Sequence, residues 1–325
     1  MGLSHHDYTF AWICALPLEM AAANIMLDET HPLLSQPDTD HNAYRLGNIA
    51  GHNVVVVCLP SGVYGTTSAA VVLAHILPTF PSVRFALMVG IGGGVPSAKA
   101  DIRLGDVVVS TPTAGFGGVI QYDYGKTLGD GRFQRTGLLN KPPPFLLTAI
   151  SRVRSDYMSN DSPIKKQLSK IIQTHQKKKE QFARPAQDWL FKTVYDHDSS
   201  NFDCSSCDQS QLVRRSPRES NDPFIHYGLI ASGNQVMKNA AIRDSIAQEL
   251  DILCFEMEAA GLMDQLPCLV IRGICDYSDS HKHKEWQGYA AMTAAAYAKV
   301  LLSALPPLLG NSQAQRADMN SGIHN

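Results

Sequence analysis

Four consecutive valines, Val54 to Val57, open the run Val54 to Leu59 and constrain the fold more than any other stretch. A strand with no polar alternation is buried on both faces, so helices must cover a parallel or mixed sheet from both sides. Phe10 to Ala15, Phe85 to Val89, Asp106 to Ser110, Tyr227 to Ala231, Ile252 to Phe255 and Cys268 to Ile274 read as further strands. Thr66 to Leu77, Asn239 to Leu250, Met257 to Gln265 and a closing stretch from Tyr289 to Leu305 read as helices. Gly51 reads as a turn that joins Tyr44 to Ile49 with Val54 to Leu59 in a hairpin. The expected fold class is α/β in three layers, with a central twisted mixed β-sheet flanked by helices.

A chain of 325 residues with 44% apolar content can bury a full core. We expect one domain over residues 1–310, carrying an insertion at 126–221, and a disordered tail at 311–325. The insertion is marked by Pro142-Pro143-Pro144, by Lys177-Lys178-Lys179 and by the polar stretch Asp196 to Gln211. No stretch approaches the roughly 18 apolar residues of a membrane span, and the N-terminus lacks the basic and apolar regions of a signal peptide. His6 stands where a myristoylation motif requires Ser or Thr. A net charge of -2 argues against a general nucleic-acid binder. Cys14, Cys58, Cys254 and Cys268 lie in apolar runs, as free thiols do in a reducing compartment. The expectation is a cytoplasmic protein with no nucleic-acid or membrane partner.

Two acidic clusters stand at strand ends. One is Asp276, closing Leu269 to Asp276; the other is Phe255-Glu256-Met257-Glu258. In parallel α/β sheets chemistry gathers beyond the carboxyl ends of strands, so these groups are expected to face one pocket. The segment Val89-Gly90-Ile91-Gly92-Gly93-Gly94-Val95-Pro96 is not a dinucleotide fingerprint, because Val95 replaces the third glycine and Pro96 replaces the helix start. No Gly-Lys-Ser/Thr follows, which excludes a phosphate-binding P-loop. Bare backbone there either forms a plain turn or approaches a sugar or base closely.

The ordered set Cys14-Ala15-Leu16-Pro17-Leu18-Glu19, Ser61-Gly62-Val63-Tyr64-Gly65, Val89 to Gly93, Leu104-Gly105-Asp106-Val107-Val108, Ala231-Ser232-Gly233, Phe255-Glu256-Met257-Glu258-Ala259 and Arg272-Gly273-Ile274-Cys275-Asp276 resembles the purine nucleoside phosphorylase/uridine phosphorylase superfamily. Within it, the chain is most similar to fungal nucleosidase-type domains at the head of innate-immune-like multidomain proteins and to methylthioadenosine/S-adenosylhomocysteine nucleosidases. The resemblance covers residues 8–125 and 226–305 and implies the nucleoside phosphorylase-type fold. It also implies cleavage of an N-glycosidic bond, with Asp276 as acid toward purine N7, Glu258 on the ribose 2′ and 3′ hydroxyls and Met257 lining the sugar. Glu19 occupies the position of an arginine that holds phosphate in the hexameric phosphorylases, and Met88 and Ile91 replace two more phosphate ligands. One charge-assisted hydrogen bond contributes about 1.5–3 kcal/mol, so losing three favours water over phosphate. Glu19 would then orient and deprotonate water.

The resemblance thus implies a purine ribonucleoside N-glycosidase releasing base and ribose without a cofactor or metal. Asp276 and Glu19 are the catalytic candidates. Glu258, Met257, Ile91, Gly92, Gly93, Phe255, Val236 and Asn234 are the substrate-binding candidates. Asn234 stands where nucleosidases carry Asp, which leaves base preference open. Related enzymes are dimers or hexamers, so a homo-oligomer is expected. Three alternatives stay open: a phosphate-dependent phosphorylase, an adenine nucleotide (ATP/AMP) nucleosidase, and a non-catalytic nucleoside-sensing module. No ATPase or repeat module follows, and the expectation is a domain that works alone or with partners in trans.

Other residues carry plainer readings. Glu256 reads as a cap or ion-pair partner, Arg272 as a support for an acidic neighbour, and Asp279 as either exposed or ordering the loop after Asp276. His281 and His283, flanked by Lys282 and Lys284, read as a solvated turn. Cys204-Ser205-Ser206-Cys207 has the spacing of half a zinc site, but only His197 and His226 offer themselves as further ligands; it reads as an ordinary loop, with a zinc site and a redox-labile pair as the alternatives. The insertion's basic residues, Arg214 and Arg215 among them, read as a solvated face, or as a receiver for a 5′-phosphate.

Overall fold

We describe the protein from a computed structural model, over residues 2–113, 115–159, 165–167, 180–198, 200–201 and 203–308. The strands are β1 (Phe10–Cys14), β2 (Glu29–His31), β3 (Tyr44–Ile49), β4 (His52–Cys58), β5 (Phe85–Gly94), β6 (Val107–Ser110), β7 (Val119–Gln121), β8 (Gly125–Thr127), β9 (Phe133–Arg135), β10 (Ile225–Ser232), β11 (Ile252–Glu256) and β12 (Cys268–Asp276). The α-helices are α1 (Pro17–Met26), α2 (Thr66–Thr79), α3 (Pro144–Ser159), α4 (Ala240–Leu250) and α5 (Gln287–Ser303).

Side-chain alternation along β1 sets the layers. Phe10, Trp12 and Cys14 point into one apolar cluster with Ala22 and Met26 of α1, Ile150 of α3 and Ala294 of α5. Ala11 and Ile13 point into another with Ala69, Val72 and Ile76 of α2 and Leu262 and Met263. All five β1 side chains are buried, as continuous apolar strands require. A third cluster under α4 joins Tyr122, Leu229, Ile252 and Phe255.

The ten-stranded sheet runs β11-β10-β6-β12-β5-β1-β4-β3-β2, with β7 beside β10. The β12, β5, β1 and β4 neighbours are parallel, whereas β3 and β6 enter antiparallel to β4 and β12. Beyond the crevice β11 turns back onto β5, pairing Cys254 with Gly94 and Phe255 with Gly93. That pairing curls one half of the sheet closed and gathers the ends of β5, β11 and β12. No helix among the described residues is long and apolar enough to cross a membrane.

Two expectations are corrected. Met257 to Gln265 is not an α-helix but a short 3-10 turn, Ala259–Gly261, followed by further turns. Its first backbone N–H groups are taken by side chains, those of Glu258 and Ala259 by the Glu256 carboxylate and that of Ala260 by Ser232 Oγ, and Pro267 ends the segment. Part of the segment expected as insertion belongs to the core, since Leu146, Ala149, Ile150 and Val153 of α3 pack with α5. The expected tail at 311–325 and Lys177-Lys178-Lys179 lie outside the described residues.

Candidate functional site

Register brings the chemistry together. Along the parallel β5/β12 pair, Arg272 lies beside Gly90 and Asp276 beside Gly93, with the ladder shifting between Ile274 and Asp276. Side chains 272 and 274 share the face of Gly90, Gly92 and Gly94, and the ladder shift turns the Asp276 carboxylate to the other face, against Gly93. A methyl group at Gly90 would lie on Glu19 Oε1 and Arg272 Nη1, so bare backbone is what allows those two groups to meet. A methyl at Gly93 would collide with Asp276 Oδ1 and Ser278 Oγ.

At the first centre one guanidinium serves three carboxylates. Arg272 Nη2 donates to Glu256 Oε2, and to Glu258 Oε2 at 3.2 Å, while Nη1 donates to the Ile91 carbonyl at 3.3 Å. Glu19 enters from the first turn of α1: Oε2 accepts from Ala15 N (2.6 Å) and Leu16 N (2.9 Å), capping the helix, and Oε1 accepts from Ile91 N (2.8 Å). Burial pushes the Glu19 carboxyl above its ordinary range, against the opposing pull of Arg272 and the three backbone N–H groups. Glu258 is pushed up to about 7 by burial, aided by Glu256 and Glu19, with Arg272 offsetting part of the rise. Arg272 itself is 1% exposed, and although burial works against its charge, Glu256, Glu258 and Glu19 hold its pKa above the ordinary arginine range.

The second centre is Asp276. Its Oδ1 accepts from Ser278 N at 2.9 Å, and Oδ2 receives the Cys275 thiol at 3.1 Å and Lys282 Nζ at 2.9 Å. Burial alone would hold a proton on this group, as expected from the apolar strand. Lys282 and the hydrogen-bond donors outweigh it, so the carboxyl sits below its ordinary range and is ionised. Lys282 was read as part of a solvated turn. It has no periodic signal, and only the fold of the loop after β12 brings it back onto the strand end.

The remaining candidates divide. Ile91 contributes through its backbone N–H and carbonyl, and Gly92 lies against Cys254 Sγ and the Phe255 carbonyl. Met257 is half-buried beside Glu258. The Phe255 side chain instead packs edge-on against Tyr122, ring centroids 5.3 Å apart, in the third apolar cluster. Asn234 caps α2 from across the chain: Oδ1 accepts from Thr66 N (3.0 Å) and Thr66 Oγ1 (3.1 Å), and its own N–H donates to Asp123 Oδ2 (2.7 Å). Val236 is 49% exposed.

Two basic residues outside this cluster, Arg103 and Arg215, are engaged elsewhere. Arg103 donates to Asp101 Oδ2 and the Ser216 carbonyl, and Arg215 to Tyr277 Oη, with Asp188 Oδ1 at 3.0 Å. Met88 is fully buried in the core. His226 pairs with Asp106 at 2.9 Å and stands apart from Cys204 and Cys207. A separate cavity of about 1280 Å³, lined by Arg154, Tyr157, Phe191, His226 and Arg243 among others, contains none of Glu19, Glu256, Glu258 and Asp276.

The fold is shared with solved nucleosidases. A methylthioadenosine/S-adenosylhomocysteine nucleosidase from Neisseria meningitidis, solved with methylthio-immucillin-A, superposes with a TM-score of 0.59 at 17% identity, over 91% of this chain and 99% of that one. Futalosine hydrolase from Helicobacter pylori gives 0.58 at 16%, over 93% and 100%. In sequence, a nucleotide-binding leucine-rich repeat (NLR)-like protein of Hyaloscypha variabilis is 49% identical over 312 residues, which are 94% of this chain and 30% of that protein. A methylthioadenosine/S-adenosylhomocysteine nucleosidase of Mycobacterium bovis is 31% identical over 91 residues, 26% of this chain and 36% of that one. The chain thus spans about a third of the length of these relatives. Residues 9–305 match the model of the phosphorylase superfamily, and the chain belongs to that family.

Proposed function

We propose that the protein is an N-glycosidase that hydrolyses a purine ribonucleoside to free base and ribose. One observation carries this reading: a carboxylate, Glu19, stands with Glu256 and Glu258 around Arg272, whose charge they already neutralise. A phosphate dianion entering there would meet net negative charge, whereas water would meet a base of raised proton affinity.

The chemistry divides between the two centres. Departure of the base leaves negative charge on the purine and an oxocarbenium-like ribosyl ring, so protonation of the base and a nearby carboxylate both lower the barrier. Glu258 accepts the ribose hydroxyls, Glu19 orients and deprotonates water, and Asp276 addresses the base. Asp276 acts as acid only once it holds a proton. A purine that separates Lys282 from Oδ2 removes the cation's influence, leaving burial, the largest influence on this group, to drive proton uptake.

The test is incubation with adenosine, inosine, guanosine and ATP, each with and without phosphate, followed by product identification. The reading predicts free base and ribose at a rate indifferent to phosphate. Ribose 1-phosphate formed only with phosphate would overturn it, and adenine released from ATP but not from nucleosides would assign the nucleotide alternative. Asp276→Asn is expected to lower turnover about 100- to 10,000-fold, the range of a positioned acid.

A further inference from the structure

Far from each other in sequence, the insertion and the loop after β12 bring four metal-ligating side chains to one place. Cys204 Sγ lies 3.5 Å, and Cys207 Sγ 3.8 Å, from Nδ1 of His281. A ring nitrogen of His197 and the same two sulfurs lie within 4.8 Å of one another. Cys204 is buried and Cys207 half-buried, and neither is in a disulfide.

The tautomers follow from the backbone. His281 Nε2 lies 2.9 Å from the Tyr195 carbonyl and His197 Nε2 lies 2.9 Å from the Asp203 carbonyl. A carbonyl only accepts, so each Nε2 carries the hydrogen and each neutral ring keeps its lone pair on Nδ1. This is how metal-bound histidines are usually oriented, with the second nitrogen donating to a carbonyl. Phe191 stacks on His281 at 4.0 Å and holds its ring plane. Two thiols converge on a single Nδ1 lone pair, and Cys204 Sγ also lies 3.7 Å from the His281 carbonyl.

We propose that His197, Cys204, Cys207 and His281 form a structural zinc site. With Zn–S near 2.3 Å and Zn–N near 2.0 Å, tetrahedral ligand atoms are about 3.3–3.8 Å apart, sulfur to nitrogen about 3.5 Å. The separations of His281 Nδ1 from the two sulfurs already fit, and a ring nitrogen of His197 lies within 4.8 Å of both sulfurs. Thiolate and imidazole donors without carboxylates select zinc over calcium or magnesium. Binding is a ligand exchange without electron transfer: Zn²⁺ sheds water, both thiols release their protons to solvent, and the resulting complex is neutral.

The site clips the insertion to the loop that carries Lys282. Hydrogen bonds already follow this path, with Ser280 Oγ accepting from His197 N and donating to Asp196 Oδ1, both at 3.0 Å. His281 adjoins Lys282, whose ammonium pairs with Asp276. Zinc therefore positions Lys282 through the loop and touches no substrate.

The test uses the whole chain purified without chelator. We expect one zinc per chain by plasma mass spectrometry. Exchange for Co²⁺ should give the intense visible bands of a tetrahedral site and a thiolate charge-transfer band. His281→Ala and Cys204→Ser should each lose the metal, while His283→Ala, in the same loop but outside the ligand set, should keep it. Removing zinc from the native chain with dipicolinate should lower the melting temperature, and zinc should restore it. Wild-type protein that holds no zinc and gives no tetrahedral cobalt spectrum overturns the proposal, and so does His281→Ala that retains the metal. These readouts are independent of the proposed hydrolysis, so failure of one reading is distinguishable from failure of the other.

Discussion

Arg272 brings one positive charge into a space shared by Glu19, Glu256 and Glu258, and the balance of that space depends on it. Arg272→Met would leave three buried carboxylates without their counter-charge. The expected loss is about 3–5 kcal/mol, measured by urea unfolding. Glu258 gives a pH signature. Its carboxyl titrates near 7 in the folded chain and near 4.5 when unfolded, so between these values the native state holds a proton that the unfolded state has lost. Stability therefore falls as pH rises through that window. Melting temperatures from pH 4.5 to 7 should show this slope in the wild type and a flatter one in Glu258→Gln; equal slopes would remove Glu258 as its source. Glu258 and Asp276 were legible as candidates because acids at strand ends are few and stand out against apolar runs, whereas Glu19, in the first turn of α1, became a candidate only through the family resemblance. Lys282 was not, because a lysine in a polar loop looks the same whether it faces solvent or a carboxylate.

At the level of elements, α2 takes its cap from a residue 168 positions away, Asn234, which accepts from Thr66 N and Oγ1. Asn234→Ala should cost about 1 kcal/mol of stability, within the range for a lost helix cap. Turnover changing more than stability would support Asn234 as a substrate-binding residue as well. The long apolar strands were readable because β1, β4 and β12 carry no polar alternation. The three-residue strands β2, β7, β8 and β9 were not, since so short a run has no periodicity of its own. The missed turn after β11 has a specific cause. Met257 to Gln265 has the composition of a helix, but Glu256 and Ser232 occupy its first N–H groups, and local propensity yields to those bonds.

For the whole molecule, ligand linkage separates the two possible nucleophiles. A nucleoside that binds only the native state should raise the melting temperature, with about 2.7 kcal/mol of stabilisation at a hundredfold excess over Kd. Inorganic phosphate alone should leave it unchanged, because the space around Arg272 is lined by carboxylates. Stabilisation by phosphate comparable to that by nucleoside would contradict the charge balance around Arg272. Burial patterns by themselves determined that a mixed sheet lies between helical layers, since apolar runs can satisfy water exclusion in few ways. The sequence also determined that a carboxylate, Glu19, follows the first strand, because charge is a property of the residue; that it stands in place of a cation is what the resemblance implies. Tertiary structure alone decided which charges meet. The ionised state of Asp276, the sharing of one arginine by three acids and the convergence of His281 with Cys204 and Cys207 all depend on distances of a few ångströms between segments far apart in the chain. Electrostatic and ligand interactions change steeply over such distances, and sequence spacing does not encode them.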